Sequence, residues 1–280
     1  MNRSFIRLTV FGLLLLASSA FAQDKNFYIF LCFGQSNMDG FPGLREEDKY
    51  PADDRFQVLA AVDIPSLGRE KGKWYSAQAP LARAGNGLCP ADYFGRTLIT
   101  KLPPQIKVGV VNVSVNGCKI ELYDESQYKT YADAAPEWMK RIIDGYGGNP
   151  YHYLVQMGRE AQKVGVIKGM LLLQGESNTG DLEWPNKVKL LYERLLQDLD
   201  LRAEDVPLLA GEVVAADQKG ACAPMNVIID RLPKTIPTAH IVSSAGCTSR
   251  EPDHLHYTPE GYKELGKRYA ETMLPLLEKR

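Results

Sequence analysis

The sequence predicts an α/β protein with a mainly parallel, five-stranded sheet covered by helices on both faces. Strand-like and helix-like segments alternate along most of the chain, which is typical of βαβ units. The strand-like segments, such as residues 27–33, 106–113 and 167–173, are continuous apolar runs. Such runs indicate strands that are buried on both faces of a sheet. No repeat or linker interrupts the order, so we expect one domain.

The first 22 residues have the features of a secretory leader. Arg3 and Arg7 precede or flank an apolar run at residues 8–17, and Ala20-Phe21-Ala22 has the small-x-small form that signal peptidase cleaves. We therefore expect a signal peptide at residues 1–22, a single domain at residues 23–280, and a secreted or periplasmic protein. A retained membrane anchor is disfavoured because the apolar run is short for a bilayer.

Composition narrows the class of protein. The chain is 45% hydrophobic and 24% charged, which is ordinary for a globular domain. The formal net charge of −1 favours neither nucleic acid nor an anionic membrane as a partner. Cysteine and histidine spacing matches no zinc site, so we expect no metal. Of the five cysteines, Cys222 and Cys247 are the pair we would first expect to form a disulfide, although spacing alone does not fix connectivity.

The first third of the chain supplies one central strand and one helix. The strand at residues 27–33 ends at Gly34, which permits backbone angles that other residues avoid. Residues 56–62 are a short apolar segment, expected to form a strand or a strand-like edge. The flanking segments, 41–54 and 65–86, are rich in turn-forming residues and predict loops. Pro90 suits the first turn of a helix over residues 90–99.

The rest of the chain continues the alternation. Residues 123–150 are expected to form an excursion with a short helix around Trp138, and Val188, Leu191 and Leu195 lie on one stripe of a strongly amphipathic helix. In order, the patterns predict a strand at 106–113, helix at 151–164, strand at 167–173, helix at 184–201, strand at 207–214, helix at 224–232, strand at 239–244, polar loop at 253–256 and helix at 259–278.

Polar clusters follow three of the predicted strands, at residues 34–37, 116–117 and 174–176. The carboxyl ends of parallel strands meet at one edge of the sheet, where ligands bind. Acyl transfer needs a serine, a base that activates it, a carboxylate that orients the base, and donors for the oxyanion. Ser36 is the candidate nucleophile. Its own backbone N–H and that of Gly117, with the side-chain amide of Asn116 or Gln174, are the candidate oxyanion donors.

The candidate base is chosen from four histidines. His152 falls in a predicted helix and His240 at the start of a strand, so a structural role is expected for both. His254 and His256 lie in a polar loop, where functional residues are common. His256 is favoured because Asp253 precedes it by three residues, a spacing that one turn can close. His254 is expected to face solvent or the substrate.

These residues resemble a known family. Gly34-Gln35-Ser36-Asn37-Met38, Gln174-Gly175-Glu176-Ser177-Asn178 and Asp253-x-x-His256 are similar to the motifs of family-six carbohydrate esterases, such as acetylxylan esterases, and of sialate O-acetylesterases. Both belong to the SGNH hydrolase superfamily. The match covers essentially the whole mature chain in the right order. It implies a three-layer α/β/α sandwich of the flavodoxin-like kind, and removal of acetyl groups from sugar hydroxyls without a metal or other cofactor.

The resemblance also implies roles for individual residues. Ser36 matches the nucleophile, His256 the base, and Gly117 a glycine of the oxyanion hole. Many relatives read Gly-Gly-Thr or Gly-Gly-Ser where this chain has Asn116-Gly117-Cys118, so the contributing amide stays open, and Gln174 stands in for an asparagine of the superfamily. Either Asp253 or Glu176 could be the triad acid. Expected substrate contacts are Gln35, Asn37 and His254.

We therefore expect a serine esterase that acts on O-acetylated carbohydrate through an acetyl-enzyme on Ser36. Acetylated xylan and acetylated sialic acid are both compatible substrates. Two alternatives stay open at this stage, a lipid or arylester hydrolase of the same superfamily and a carbohydrate-binding protein without activity. No nucleic acid and no membrane anchor after cleavage are expected.

Overall fold

The computed structural model describes residues 23–278, and the predicted signal peptide lies outside this range. Short 3-10 turns join several of the elements. The strands are β1 Asp24–Gly34, β2 Phe56–Leu59, β3 Trp74–Ser76, β4 Lys107–Ser114, β5 Gly165–Leu173, β6 Leu208–Gly211 and β7 Ala239–Val242. The helices are α1 Ser36–Asp39, α2 Pro90–Lys101, α3 Tyr128–Ala134, α4 Glu137–Gly145, α5 Pro150–Gln162, α6 Trp184–Asp198, α7 Asn226–Ile229, α8 Leu232–Thr235 and α9 Pro259–Glu278.

The strands form one sheet in the order β3-β2-β4-β1-β5-β6-β7. Every neighbouring pair is parallel except β2 and β3. The prediction of a mainly parallel α/β sheet is confirmed, but the count of five strands is wrong, because the described residues form seven. The segment at β2 lies inside the sheet. The added strand, β3, comes from a predicted loop, and its Trp74 packs edge-on against Phe27 of β1, with 4.8 Å between ring centroids.

Helices cover both faces, as expected. Alternate side chains of β1 point to opposite faces of the sheet, so Phe30 packs with α2 and α9, whereas Leu31 packs with α5 and α6. The architecture is therefore the predicted three-layer sandwich. The helix predicted at residues 224–232 is instead divided between the short helices α7 and α8.

The centre of the sheet is a topological switch point. β1 lies between β4 and β5, and the chain builds the sheet outward from it on both sides. Ligands of open α/β sheets bind outside the carboxyl ends of the strands at this point. Gly34 ends β1 there with a φ of 150°. A Cβ at this position would lie 2.1 Å from the carbonyl oxygen of Leu173 in β5, so only glycine fits.

The cysteines do not pair in this fold. All five lie within the described residues and all are free thiols, so the expected Cys222–Cys247 disulfide is wrong. The thiol of Cys222 faces the carbonyl oxygen of Glu176 at 3.6 Å, whereas Cys247 is buried in the apolar layer beneath α9. The two side chains thus belong to different environments.

Two further features concern metals and membranes. Among residues 23–278, no group of three or more His, Cys, Asp or Glu side chains is arranged to hold a metal ion. Over the same residues, no helix is both long enough and apolar enough to cross a bilayer.

Candidate active site

Ser36, His256 and Asp253 form one hydrogen-bonded line at the carboxyl edge of the sheet. Ser36 Oγ lies 3.0 Å from His256 Nε2, and His256 Nδ1 lies 2.9 Å from Asp253 Oδ2. In this arrangement an imidazole can take the proton of a hydroxyl while a carboxylate fixes its tautomer. Of the two acids that the sequence left open, the structure places Asp253 on the imidazole.

The turn after β1 positions Ser36. The backbone N–H of Gln35 donates to the carbonyl oxygen of Leu173 at 3.1 Å, which ties the turn to β5, and that of Gly40 donates to the carbonyl oxygen of Ser36 at 2.9 Å. Ser36 is the first residue of α1 and is only 7% exposed. Its hydroxyl is therefore fixed at the floor of a cavity instead of moving freely at the surface.

A closed loop positions the other two side chains. A bridge between its end residues closes the loop of residues 249–257, and the N–H of Arg250 donates to the carbonyl oxygen of His256 at 2.7 Å. Asp253 Oδ1 accepts hydrogen bonds from the backbone N–H groups of Leu255 at 2.9 Å and His256 at 3.2 Å. One carboxylate oxygen therefore holds the loop while the other holds the imidazole.

These contacts also keep Asp253 ionised. Partial burial raises the pKa of this carboxyl, but the hydrogen bonds from the His256 side chain and from the backbone N–H groups of Leu255 and His256 outweigh burial, and the pKa is lowered overall. A carboxylate that stays charged near neutral pH can stabilise an imidazolium.

Glu176 has a different partner. Its Oε1 accepts from the Asn37 amide at 2.5 Å, and its Oε2 is buried without a partner among the described residues. Burial raises the pKa of Glu176, and hydrogen bonds from backbone N–H groups and from Asn37 only partly oppose this effect. Asn37 donates as well to the carbonyl oxygen of Leu255 at 3.0 Å. Through Asn37, Glu176 therefore links the serine turn to the histidine loop.

The cavity above Ser36 contains the oxyanion candidates. It has a volume of about 500 Å³, and Gln35, Ser36, Phe41, Gly117, Trp138 and His256 are among the residues that line it. Within residues 23–278, the backbone N–H groups of Ser36 and Gly117 are absent from the hydrogen bonds made by the chain. Both are therefore free to donate to a substrate oxygen. Gly117 has a φ of 67°, a conformation that glycine adopts at no steric cost.

Asn116 lines the same cavity, but an ion pair beside it holds its amide. In the amide orientation that satisfies both of its polar atoms, the side-chain nitrogen donates to Asp39 Oδ2 at 2.6 Å and the oxygen accepts from Arg83 at 2.9 Å. Arg83 also contacts the fully buried Asp39 carboxylate at 2.6 Å. Burial raises the pKa of Asp39 to about 6, although Arg83 opposes the shift. Sequence reasoning missed this pair because 44 residues separate its members.

Gln174 does not fit the expected role of an oxyanion donor. Its side chain is fully buried and does not line the cavity. Its amide nitrogen faces the oxygens of Asn178 at 2.7 Å, Gln35 at 3.2 Å and Cys118 at 3.2 Å, while its oxygen accepts from the Trp184 indole at 2.5 Å. Gln174 therefore supports the cavity floor from below.

The three expected substrate contacts are placed differently. Gln35 lines the cavity, although its side-chain oxygen accepts from the N–H of Ser177 at 3.3 Å. Asn37 is fully buried and cannot touch substrate. His254 Nδ1 lies 2.9 Å from Ser249 Oγ, and its side chain is not part of the cavity wall. The side chains of Asn37 and His254 therefore bind the loops around the cavity and do not line it, and the expectation that His254 faces solvent or the substrate stays a prediction.

Two aromatic residues of the cavity wall, Phe41 and Trp138, lie in segments that the sequence predicts as a loop and an excursion with a short helix, without an individual role for either residue. Phe41 stacks on the imidazole of His256, with 4.1 Å between ring centroids and 27° between planes. The guanidinium carbon of Arg250 lies 4.7 Å from the centroid of the same ring. Trp138 is 46% exposed and lines the cavity opening. No spacing marks either residue, and the only signal in the sequence is an aromatic side chain in a segment without a long strand or helix pattern.

The parallel sandwich, with Ser36, His256 and Asp253 at its switch point, has the architecture of an SGNH-type hydrolase. The family model described as "Carbohydrate esterase, sialic acid-specific acetylesterase" matches residues 26–275. The chain therefore belongs to this family of carbohydrate esterases, and the family resemblance inferred from the motifs is confirmed.

Solved structures share the fold. An Arabidopsis thaliana protein superposes with a TM-score of 0.67 at 21% identity, over 89% of this chain and 98% of its own. NanS gives a TM-score of 0.63 at 18% identity, over 91% and 98%. A carbohydrate acetylesterase from Xanthomonas citri gives 0.62 at 17% identity, over 90% of this chain but 56% of its own longer chain. At these identities the likeness concerns the fold.

Proposed function

We propose that this protein is a serine esterase that removes O-acetyl groups from carbohydrates through an acetyl-enzyme on Ser36. The observation that carries the proposal is the hydrogen-bonded line from Ser36 Oγ through His256 to Asp253. It lies at the switch point of a chain that belongs to a carbohydrate esterase family. The family description also supports acetylated sialic acid as a substrate to test first.

Acylation begins with the attack of Ser36 Oγ on the acetyl carbonyl carbon. His256 Nε2 takes the hydroxyl proton as the new C–O bond forms, and the carbonyl electron pair moves to oxygen. The N–H groups of Ser36 and Gly117 are the donors available to that oxyanion, and each such donor contributes about 3–4 kcal/mol to typical enzymes. The intermediate then collapses, the bond to the sugar oxygen breaks, and His256 returns the proton to that oxygen.

Deacylation repeats these steps with water. His256 takes a proton from the water, whose oxygen attacks the acetyl carbon, and a second oxyanion forms at the same two N–H groups. As this intermediate collapses, the bond between the acetyl carbon and Ser36 Oγ breaks and His256 returns its proton to that oxygen, while the acetic acid leaves and loses its own proton to water. Asp253 keeps Nδ1 protonated throughout, so that Nε2 stays available as the base.

The experiment is acetate release from O-acetylated sialic acid, acetylated xylan and p-nitrophenyl acetate by the protein and by Ser36→Ala. We expect release from at least one sugar, and a loss of at least about 10³-fold in the variant, because the residual rate lacks the nucleophile. Ser76→Ala is the control, since its hydroxyl donates to Asp54 Oδ1 at 2.7 Å on the edge strand β3 and does not line the cavity. Equal turnover by Ser36→Ala and the unaltered protein would refute the proposal.

We also propose that the protein is exported and that cleavage follows Ala22. The support is the basic, apolar and small-residue order of residues 1–22. N-terminal sequencing of the exported protein should begin at Gln23. An intact Met1 on the protein in the cytoplasm would exclude the proposal.

A further inference from the structure

We propose that the active site continues into a second sugar subsite on α4, so that the preferred substrate is an oligosaccharide. This inference rests on the proposed esterase function and names the substrate class within it. The subsite is a groove of about 540 Å³ whose walls include Val62, Arg83, Trp138, Arg141 and Tyr146. It would bind a sugar unit that is linked to the acetylated one.

The groove is continuous with the cavity above Ser36. Asn116 and Trp138 belong to the walls of both. The Trp138 indole also lies against Gly117, whose N–H is a proposed oxyanion donor, because a Cβ on Gly117 would lie 3.0 Å from Trp138 Cη2. A sugar whose acetyl oxygen reaches the Gly117 N–H therefore lies beside the indole. A second unit linked on that side would enter the groove.

Trp138 has the chemistry of a sugar platform. It is 46% exposed, whereas Trp184 is fully buried, and the third tryptophan, Trp74, packs against a neighbouring ring. A large apolar face next to a polar N–H suits a sugar ring, which has an apolar C–H face and a rim of hydroxyl groups. The exposed face of Trp138 contributes nothing to the core, because the buried side of α4 is formed by Met139 and Ile143.

Arg141 supplies hydrogen-bond donors beside this platform. It is three residues after Trp138 on α4, so the two side chains share one helix face. Arg141 is exposed, and the ion pairs found within the described part of the chain do not include it. In contrast, Asp39 engages the other arginine of the groove, Arg83. A free guanidinium offers five N–H donors to the hydroxyl or carboxylate oxygens of a second sugar unit.

The test measures kcat/KM for three substrates. The first is an acetylated sugar alone, and the other two are the same acetylated sugar linked to a second unit, which is a neutral sugar in one and a uronic acid in the other. We expect the linked substrates to be preferred about tenfold or more, equivalent to about 1.4 kcal/mol. Trp138→Ala should reduce the preference for both. If Arg141 binds a carboxylate, Arg141→Ala should reduce the preference for the uronic acid substrate more than that for the neutral one. If Arg141 binds hydroxyl groups, the variant should reduce both preferences equally.

Lys140→Ala is the matched control, because Lys140 lies on the same helix but pairs with Glu137 at 3.1 Å outside the groove. It should keep the full preference. No preference in the unaltered protein, or a preference that survives both groove substitutions, would overturn the subsite while leaving the esterase proposal intact. The absence of acetate release from every substrate, including p-nitrophenyl acetate, would overturn both. Thermal unfolding checks that each variant is folded.

Discussion

At the scale of single residues, the site depends on what holds the imidazole of His256. Asp253 binds one nitrogen and Ser36 the other, while Phe41 covers one face of the ring. Each contact restricts a different motion of the imidazole. Replacing them one at a time therefore separates tautomer control from ring placement.

Asp253→Asn should lower kcat by about 10³- to 10⁴-fold, because asparagine can donate to Nδ1 and then favours the wrong tautomer. Glu176→Gln should cost less than about tenfold, since glutamine keeps an oxygen that can accept from Asn37. The measurement is steady-state hydrolysis of p-nitrophenyl acetate by both variants. A larger loss in Glu176→Gln than in Asp253→Asn would reverse the assignment of the acid.

Phe41→Leu should lower kcat by about two- to tenfold, because an aromatic stacking contact contributes roughly 0.5–1.5 kcal/mol. Leucine fills most of the space but leaves the ring of His256 free to tilt. Phe41→Tyr keeps the stack and should restore the rate. An effect on KM alone, with kcat unchanged, would show that Phe41 contacts substrate and does not orient His256.

Sequence could identify these residues but not rank them. Asp253 and Glu176 both follow strands that end at the carboxyl edge of the sheet. They differ in their partners, because Glu176 binds Asn37 whereas Asp253 binds His256. Gln174 also lies at a strand end, yet the Trp184 indole and neighbouring oxygens hold it below the cavity. Such partners depend on three-dimensional packing across many residues, which no local spacing records.

At the scale of elements, the carboxyl end of β1 has no room for a side chain at Gly34. Gly34→Ala should destabilise the protein by about 3 kcal/mol or more, because the added Cβ would meet the carbonyl oxygen of Leu173 at 2.1 Å and backbone cannot move aside cheaply. Urea unfolding measures the change.

Gly68→Ala is the control for this substitution. Gly68 also has a positive φ, 62°, but a Cβ added there would meet nothing within 4 Å. We expect it to cost about 1–2 kcal/mol, from the backbone conformation alone. Equal losses in the two variants would mean that the approach of β5 to Gly34 is unimportant.

The elements themselves were predictable to different degrees. Long apolar strands and amphipathic helices such as α6 carry their own periodicity, so their positions followed from the sequence. β3 has only three residues and pairs with β2, and α7 and α8 have four residues each. Short elements of this kind owe their structure to neighbours and not to their own pattern.

At the scale of the whole molecule, stability should depend on a buried carboxyl far from the triad in sequence. Asp92 is fully buried, and neither of its side-chain oxygens has a partner among the described residues. Burial raises its pKa to about 7, against the lowering effect of Arg96. Because the folded state then binds the proton more tightly than the unfolded state, this group stabilises the fold at low pH and loses that contribution as pH rises to about 7.

Asp92→Asn cannot ionise and should remove this dependence. Relative to the unaltered protein, its free energy of unfolding should increase between pH 5 and pH 7, by at most about 1.4 kcal/mol per pH unit. Urea unfolding at several pH values gives the difference between the two proteins. Parallel curves over this range would exclude Asp92 as the titrating group.

Ser36 and His256 lie 220 residues apart along the chain, so the proposed activity requires a chain that includes both the first strand and the loop of residues 249–257. The proposed nucleophile is synthesised with the first strand, whereas the loop that carries the proposed base is synthesised after β7 and immediately before α9. A nascent or clipped chain that ends before residue 249 would contain Ser36 without a base to activate it. Fragments of this kind should show no esterase activity, so the assay should detect only molecules that contain both segments.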